Sequence, residues 1–390
     1  MGKNISVSTD FLSGGGHVKV QASAPATIRF SPHDEGDGEW SRVWWHFSVE
    51  GINPGEEIRL ELDKGGGVSP QVFFSYDQKV WGLTDEGETE TIEGKEFFVY
   101  KHTVKASRVW FAYDLPYTSE HIDTLLTPLI KKDKFAEVLT LCSSRKNRPN
   151  TGFRLNPSQR NLSPKYGIWL QARAHAFESG ASWVLHELAK WLVSGEAEAV
   201  ALRNNALITV VPIVDIDGVS EGRTGKYQKP HDHWMKWGDE PSYWPEVDKI
   251  KSGIRELAQK DMADLFIDFH GPGGKSHPYF ILPFESELPF VKQRNNRAKF
   301  FSCLKAKPLD EQARQRQSMT QIHYSERPWD NTILDSSHEW VTAKANEHSL
   351  AFTIEVNMNT PLSTQDGYRS EAITLGKAIS TYFVDGYHEK

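Results

Sequence analysis

The chain has 390 residues and a formal net charge of −7, a balance that excludes a phosphate backbone as the main partner, because nucleic-acid binders carry a basic excess. Two cysteines, Cys142 and Cys303, exclude a disulfide framework and fit a reducing, cytoplasmic setting. No run reaches the roughly 20 apolar residues of a membrane span, and the opening MGKNISVSTD lacks the apolar stretch of a secretory signal.

A chain of this length is expected to form two domains. Up to residue 115 the texture is all β. TIRFS, RVWWHFSVEG, EEIRLELD, QVFFSYD, EFFVYKHTV and SRVWFAYDLPY are short, rich in aromatic and β-branched residues, and separated by Gly, Pro and Asp turns. Their spacing predicts a sandwich or small barrel. Within it, SPHDEGDGEW, carrying His33, Asp34 and Glu35, reads as a solvated turn.

TSEHIDTLLTPLIKK (118–132) predicts a helix, and the polar, basic stretch 143–165 reads as loop. Strand-like and helical segments then alternate. GIWLQARAH is a strand. In ESGASWVLHELAKWLVSG, Ala181, Val184, Leu185, Leu188, Trp191 and Leu192 share one helical face, and Gly195 follows as a stop. NALITVVPIVD, ADLFIDFHG and SLAFTIEVN are apolar strands, while YWPEVDKIKSGIRELAQK and SEAITLGKAISTYFV are helical. Apolar strands alternating with helices imply an α/β domain whose parallel or mixed sheet is covered on both faces. The organisation expected is therefore 1–115 and 116–390.

Polar residues stand out at three places where apolar strands of the second part end or turn. His175 and Glu178 lie three apart at a strand-to-helix junction, where one imidazole and one carboxylate point the same way. His270 ends LFIDFH, before Gly271 and Pro272, and Glu355 comes late in AFTIEVN. In open α/β sheets such residues gather at the carboxyl ends of the strands. Two His nitrogens and one Glu carboxylate are a catalytic zinc set that leaves a position open for water. An unligated carboxylate then moves the proton. On this reading His175, Glu178 and His270 are the ligands of one Zn²⁺ per chain, and Glu355 is the general base. With 15 histidines and 52 acidic residues, roughly one His-x-x-Glu arises by chance, so the pair alone decides nothing.

The order and surroundings carry more. FAYDLPYT (111–118), ARAHAFESGASWVL, VVPIVDIDGV, IDFHG and TIEVN resemble the zinc carboxypeptidases of the carboxypeptidase A type, and among them the cytosolic carboxypeptidase branch. The resemblance implies a mixed eight-stranded sheet flanked by helices, preceded by an all-β sandwich, and a peptidase that uses zinc. It also implies a gapless reading from Asp217 to Trp237 through KPHDHWMKW. That reading puts the family's aspartate on Asp232, where it would orient His175. The asparagine and arginine that grip a substrate's terminal carboxylate fall on Trp234 and Met235, which cannot do so. A second arginine, which polarises the carbonyl, falls near Gly225, with Arg223 and Lys226 close enough to substitute. HAFE stands where the family usually has HPGE.

The metal apparatus is therefore intact in sequence while the carboxylate clamp is replaced. A cation among Arg223, Lys226, Lys236 and Arg173 takes the terminus, or the substrate lacks a free carboxylate there and the enzyme is an amidase or deacylase, or the loop is rebuilt with its tryptophans as core. His231 and His233 are read as polar loop residues. The function expected is a zinc metallohydrolase cleaving a peptide or small amide, most of all a metallocarboxypeptidase with non-standard terminal recognition. The alternatives are an amidase or deacylase on the same scaffold and a non-catalytic peptide- or glycan-binding relative. No nucleic-acid or membrane partner is expected.

Overall fold

The structure, a computed structural model, describes residues 4–33, 35–36, 41–63, 68–157, 163–271, 278–282, 285, 288–306, 321–324 and 336–390. Asp34 and Pro272, both singled out in the sequence, lie outside the described residues.

The N-terminal part is β-rich, with strands β1 (Ser6–Ser8), β2 (His17–Ser23), β3 (Ala26–Ser31), β4 (His46–Glu50), β5 (Glu57–Asp63), β6 (Phe73–Ser75), β7 (Trp81–Leu83), β8 (Glu88–Ile92), β9 (Lys95–Thr103) and β10 (Arg108–Ala112). They form two five-stranded sheets, ordered β1-β4-β10-β6-β7 and β2-β3-β5-β9-β8. Alternation along β5 buries Ile58, Leu60 and Leu62. The sheets meet through aromatic pairs: Phe30 of β3 lies 4.9 Å from Phe47 of β4, and His102 of β9 lies 4.1 Å from Phe74 of β6. Such pairs add to the area they bury.

After Ala112 the chain is helical from Ser119 to Ile130, with a π-helical turn over Ile122–Leu126. The α/β part then builds β11 (Ala136–Ser143), β12 (Pro149–Leu155), β13 (Tyr166–Ala172), β14 (Ala206–Val211), β15 (Leu265–His270), β16 (Tyr279–Leu282) and β18 (Leu350–Glu355) into one mixed sheet. Its order is β11-β12-β14-β13-β15-β18-β16, and the four residues of β17 (Gln321–Tyr324) pair in parallel along the outer edge of β16. The four central strands run parallel. The main helices are α1 (Ser179–Leu192), α2 (Pro245–Gln259), α3 (Val291–Ala306) and α4 (Gln365–Val384).

One face of the sheet is covered by α1, α3 and α4, and the absence of a side chain at Gly376 lets Trp191 lie against α4. On the other face, Val247, Ile250, Ile254 and Leu257 of α2 share a cluster with Trp169, Phe266 and Trp340. Strands covered on both sides must be apolar throughout, and every residue of β15 and β18 is buried.

The stretch 143–165, read as loop, contains a strand. β12 pairs antiparallel with β11 and with β14. Asn150, Phe153 and Leu155 are buried while Arg154 stays partly exposed, so a lone Phe and Leu among polar residues did not reach the strand signature.

Candidate metal centre

The carboxyl ends of the parallel strands deliver the polar residues to one place. Beyond Ala172 the chain turns at Arg173, whose φ is +70°. That conformation costs a side-chain-bearing residue on the order of 1–3 kcal/mol. It is offset by burial of the guanidinium with partners. Nε donates to the Ala176 carbonyl at 2.8 Å and Nη1 to the Tyr117 carbonyl at 3.2 Å, and the residue is fully buried. Burial pulls the Arg173 pKa down to about 10, with Asp114, Glu178 and Asp215 acting to hold it up. Arg173 thus braces the His175–Glu178 turn from beneath and is not open to a substrate.

Asp114, from the end of the β-rich part, accepts the Ser179 hydroxyl at 2.8 Å and the Gly180 N–H at 3.2 Å. A carboxylate is favoured at the start of α1 by the helix dipole and the unpaired N–H groups. Burial still lifts its pKa to about 6.

Above this base, three donors converge. His175 Nδ1 lies 2.9 Å from Glu178 Oε1, His270 Nδ1 lies 2.9 Å from Glu178 Oε2, and the two Nδ1 atoms are 3.2 Å apart. All three residues are at least 98 % buried. Burial opposes the charge on Glu178, yet the two imidazoles hold its carboxyl well below the usual carboxylate range. Burial likewise works against protonation of the histidines. Glu178 with Asp232 raises His175, and Glu178 with Asp268 raises His270. The far nitrogens face second carboxylates: His175 Nε2 is 3.4 Å from Asp232 Oδ2, and His270 Nε2 is 3.4 Å from Asp268 Oδ1. Carboxylates behind both rings favour Nε2–H and leave both Nδ1 lone pairs aimed at one point, which is the arrangement of metal-ligating histidines. Two Nδ1 donors and a carboxylate fit one zinc ion.

Glu355 stands next to this set by strand register. It is the Cα partner of His270 in β15 and of Tyr279 in β16. Its Oε2 is buried without a hydrogen-bond partner. Burial, reinforced by Glu178, lifts its pKa to about 7, against the pull of His270, Lys226 and His175.

The loop 229–237 is divided. Asp232 Oδ1 accepts the N–H groups of Trp234 and Met235, each at 3.0 Å, while Oδ2 faces His175. Trp234 lies against His175 and His270, 6.2 Å from the first ring and 5.7 Å from the second, and stacks on His338. Met235 forms a backbone bridge to Ser336, and Lys236 is exposed. Trp237 is core, against Phe266 and Trp340. His233 stacks on Trp244 and pairs with Gln228, and His231 turns to the Asp232 carbonyl, so neither joins the metal set.

The two cations near Gly225 separate. Arg223 is exposed, and its charge acts on His33 and Glu35 of the N-terminal part. The Lys226 charge acts on Glu355.

Three residues of the site were not singled out in the sequence. Asp268 is two positions before His270, hence on the same strand face, and its Oδ2 accepts the Ser337 hydroxyl at 2.5 Å. A fully buried aspartate inside LFIDFH was the available signal. Burial, reinforced by the charges of Glu355 and Glu178, raises the Tyr279 pKa. His338 is held neutral by burial at about 4 and bonds Thr353. Nothing in the sequence marked Tyr279 or His338.

A second His-His-Asp group, Asp264, His348 and His388, sits where β15 and β18 begin, at the opposite end of the strands. Asp264 pairs with His388 Nε2 at 2.8 Å and His348 Nε2 at 3.1 Å, and accepts Gly167 N–H at 2.9 Å. The Tyr382 hydroxyl meets His388 Nδ1 at 2.8 Å. These bonds tie down the last residues of the chain.

The zinc carboxypeptidase family matches residues 124–242, and the cytosolic carboxypeptidase N-terminal domain matches residues 7–113. Mouse cytosolic carboxypeptidase 1 is 26% identical over 281 residues, 60% of this chain and 23% of the relative. Mouse cytosolic carboxypeptidase 2 is 26% identical over 273 residues, 60% of this chain and 30% of the relative. The chain thus spans less than a third of the length of these relatives. Among solved structures, a metallo-carboxypeptidase from Burkholderia cenocepacia superposes with a TM-score of 0.78 at 19% identity, covering 97% of this chain and 99% of that one. A metallo-carboxypeptidase from Pseudomonas aeruginosa, in complex with (2-guanidinoethylmercapto)succinic acid, gives 0.75 at 20% identity, covering 98% and 100%. No helix among the described residues is long and apolar enough to cross a membrane.

Proposed function

We propose that the chain, matched by the zinc carboxypeptidase family over residues 124–242 and by the cytosolic carboxypeptidase N-terminal domain over residues 7–113, is a metallocarboxypeptidase. It removes a terminal residue whose free carboxylate is held by Lys226 in place of the missing Asn-Arg pair. The observation that carries this reading is the convergence of His175 Nδ1, His270 Nδ1 and the Glu178 carboxylate beside an unligated Glu355. His175, Glu178 and His270 would hold one zinc per chain. When bound there, zinc supplies Lewis acidity toward the scissile carbonyl and makes water a better nucleophile at neutral pH.

The protein does the rest. Asp232 and Asp268 keep the Nε2–H tautomer, so neither histidine has to reorganise when it ligates. Glu355, lifted to about 7, is poised near the working pH, where a general base loses least driving force. Its unpartnered Oε2 takes the proton of the attacking water and returns it to the leaving nitrogen. Trp234, in the position of the clamp asparagine, closes one wall with an apolar ring instead of an amide. The Lys226 ammonium favours the ionised form of Glu355, and on this reading its charge also draws the substrate carboxylate.

The Trp234 wall favours the second reading, an amidase acting where no carboxylate has to be held. The test is a matched pair of substrates, N-acyl dipeptides ending in a free acid or in the amide. Wild type should cleave the acid, Lys226→Met should lose about 10–100-fold in kcat/KM on the acid only, and Glu355→Gln should retain zinc while losing about 10²–10⁴-fold in kcat. Equal cleavage of acid and amide, untouched by Lys226→Met, favours the amidase. Absence of zinc in protein purified without chelator ends both.

A further inference from the structure

Besides Asp114, the N-terminal β-rich part reaches the metal centre through Glu35. The two carboxylate oxygens of Glu35 accept the backbone N–H groups of Thr224, at 2.7 Å, and Gly225, at 2.8 Å. The Thr224 hydroxyl in turn accepts the N–H groups of Val43 and Trp44, at 3.1 and 3.2 Å. One residue of the 222–226 loop is therefore tied to the N-terminal part from both its backbone and its side chain.

The same residue holds the ligand turn. The Thr224 carbonyl accepts the N–H of Phe177 at 2.9 Å, and Phe177 directly precedes Glu178. Gly225 lies against the other half of that turn. Its φ is +77°, and a Cβ built on it would come 2.5 Å from the Ala176 nitrogen and 2.8 Å from the Ala176 Cβ. Loop backbone thus presses on Ala176 and bonds Phe177, the two residues between the ligands His175 and Glu178. Gly222 fixes the start of the loop. A Cβ there would fall 2.1 Å from the Gly14 carbonyl oxygen, and Ser13 N–H bonds the Ser220 carbonyl at 3.1 Å.

We propose that Glu35 is a positioning residue of the metal centre: by holding the Thr224 and Gly225 amides it fixes the backbone that sets where His175 and Glu178 point. A carboxylate chelating two successive N–H groups makes two charge-assisted hydrogen bonds, roughly twice as strong as neutral ones. Tyr113 packs on the Phe177 ring and Asp114 holds Ser179 and Gly180, while the Glu35 bonds fix the Thr224 carbonyl that accepts the Phe177 N–H. HAFE stands where the family usually has HPGE, so no proline ring fixes φ in the turn, and the Glu35 bonds act as an external restraint that keeps the two ligands in register. The β-rich part is on this account a component of the site and not only a neighbour of it. The inference rests on the reading of His175, Glu178 and His270 as zinc ligands.

The experiment measures zinc release from the full zinc-loaded chain to a chromogenic chelator, alongside the thermal midpoint, for wild type, Glu35→Gln and Glu35→Ala. Glu35→Ala should release zinc about tenfold faster, the lower end of the 10–100-fold that removing groups behind metal ligands costs in affinity. Glu35→Gln, which keeps one acceptor oxygen, should fall between. A merely structural role would lower the midpoint while leaving release from the folded protein unchanged. Release by Glu35→Ala within about twofold of wild type, with zinc bound stoichiometrically in both, overturns the inference and leaves the zinc reading standing. Should Glu35→Ala not fold, Glu35→Gln decides by the same criterion. A wild-type chain that takes up no zinc overturns both.

Discussion

Asp232→Asn tests the metal centre through a single proton. Asp232 is 8% exposed, with Oδ1 accepting the Trp234 and Met235 N–H groups at 3.0 Å each and Oδ2 facing His175 Nε2 at 3.4 Å. An asparagine has one oxygen for these two duties. If the oxygen stays on the loop, its NH₂ meets the His175 Nε2–H, so the ring must shift its proton to Nδ1, the nitrogen 2.9 Å from Glu178. If the amide flips, the NH₂ faces two backbone donors and two hydrogen bonds are lost, about 1 kcal/mol each. Either way the ligand geometry costs more to form. Removing such a partner lowers metal affinity about 10–100-fold, or about 1.4–2.8 kcal/mol. A chelator competition at fixed pH reads this directly, with unfolding of the metal-free protein separating the two amide orientations. If Asp232→Asn binds zinc within about twofold of wild type and is equally stable, the tautomer argument is wrong.

Three further outcomes are expected. Gly225→Ala should lose more stability than Gly55→Ala: both have positive φ, at +77° and +89°, but only at 225 does the new Cβ meet an atom within 4 Å. Strain alone is on the order of 1–3 kcal/mol, so equal midpoints for the two variants would refute the close approach to Ala176. Metal-free protein should weaken in acid, because burial holds His46 and His186 at about 3 against about 6.5 unfolded. Their folded values lie below the unfolded ones, so the unfolded chain binds more protons and stability falls as pH drops below about 6.5. Each should cost about 2 kcal/mol by pH 5. Urea unfolding of His46→Phe at pH 7.5 and 5 should show that much less pH dependence, and an unchanged dependence would contradict it. Asp268→Asn should mirror Asp232→Asn by acting on His270, lowering zinc affinity about 10–100-fold in the same competition.

The parts legible in the sequence were those with short-range periodicity or with polar residues in apolar surroundings. The central strands read as unbroken apolar runs because both faces are covered, and α1 carried its buried stripe at helical spacing. His175, Glu178, His270 and Glu355 stood out because each interrupts such a run. β12 was hidden because its apolar content is two residues, Phe153 and Leu155. Arg223 and Lys226 could not be ranked, three positions apart in one loop. Only the folded chain separates them: the Arg223 charge acts on His33 and Glu35 of the β-rich part, and of the two it is the Lys226 charge that acts on Glu355.

The sequence by itself carried the proposed His175, Glu178 and His270 ligand set, the β-rich and α/β halves, and the placing of Trp234 and Met235 where the resemblance expects an Asn-Arg pair. These depend on residue type and spacing, which a linear chain carries in full. The tertiary structure decided which residues support that chemistry: Asp268 through strand-face alternation, Tyr279 through register with Glu355, and Glu35 from 140 positions before His175. The physical reason is that a supporting contact is defined by distance in the folded chain. Its residue types, a lone carboxylate or phenol, are common enough that no local pattern marks them until packing brings them beside what they hold.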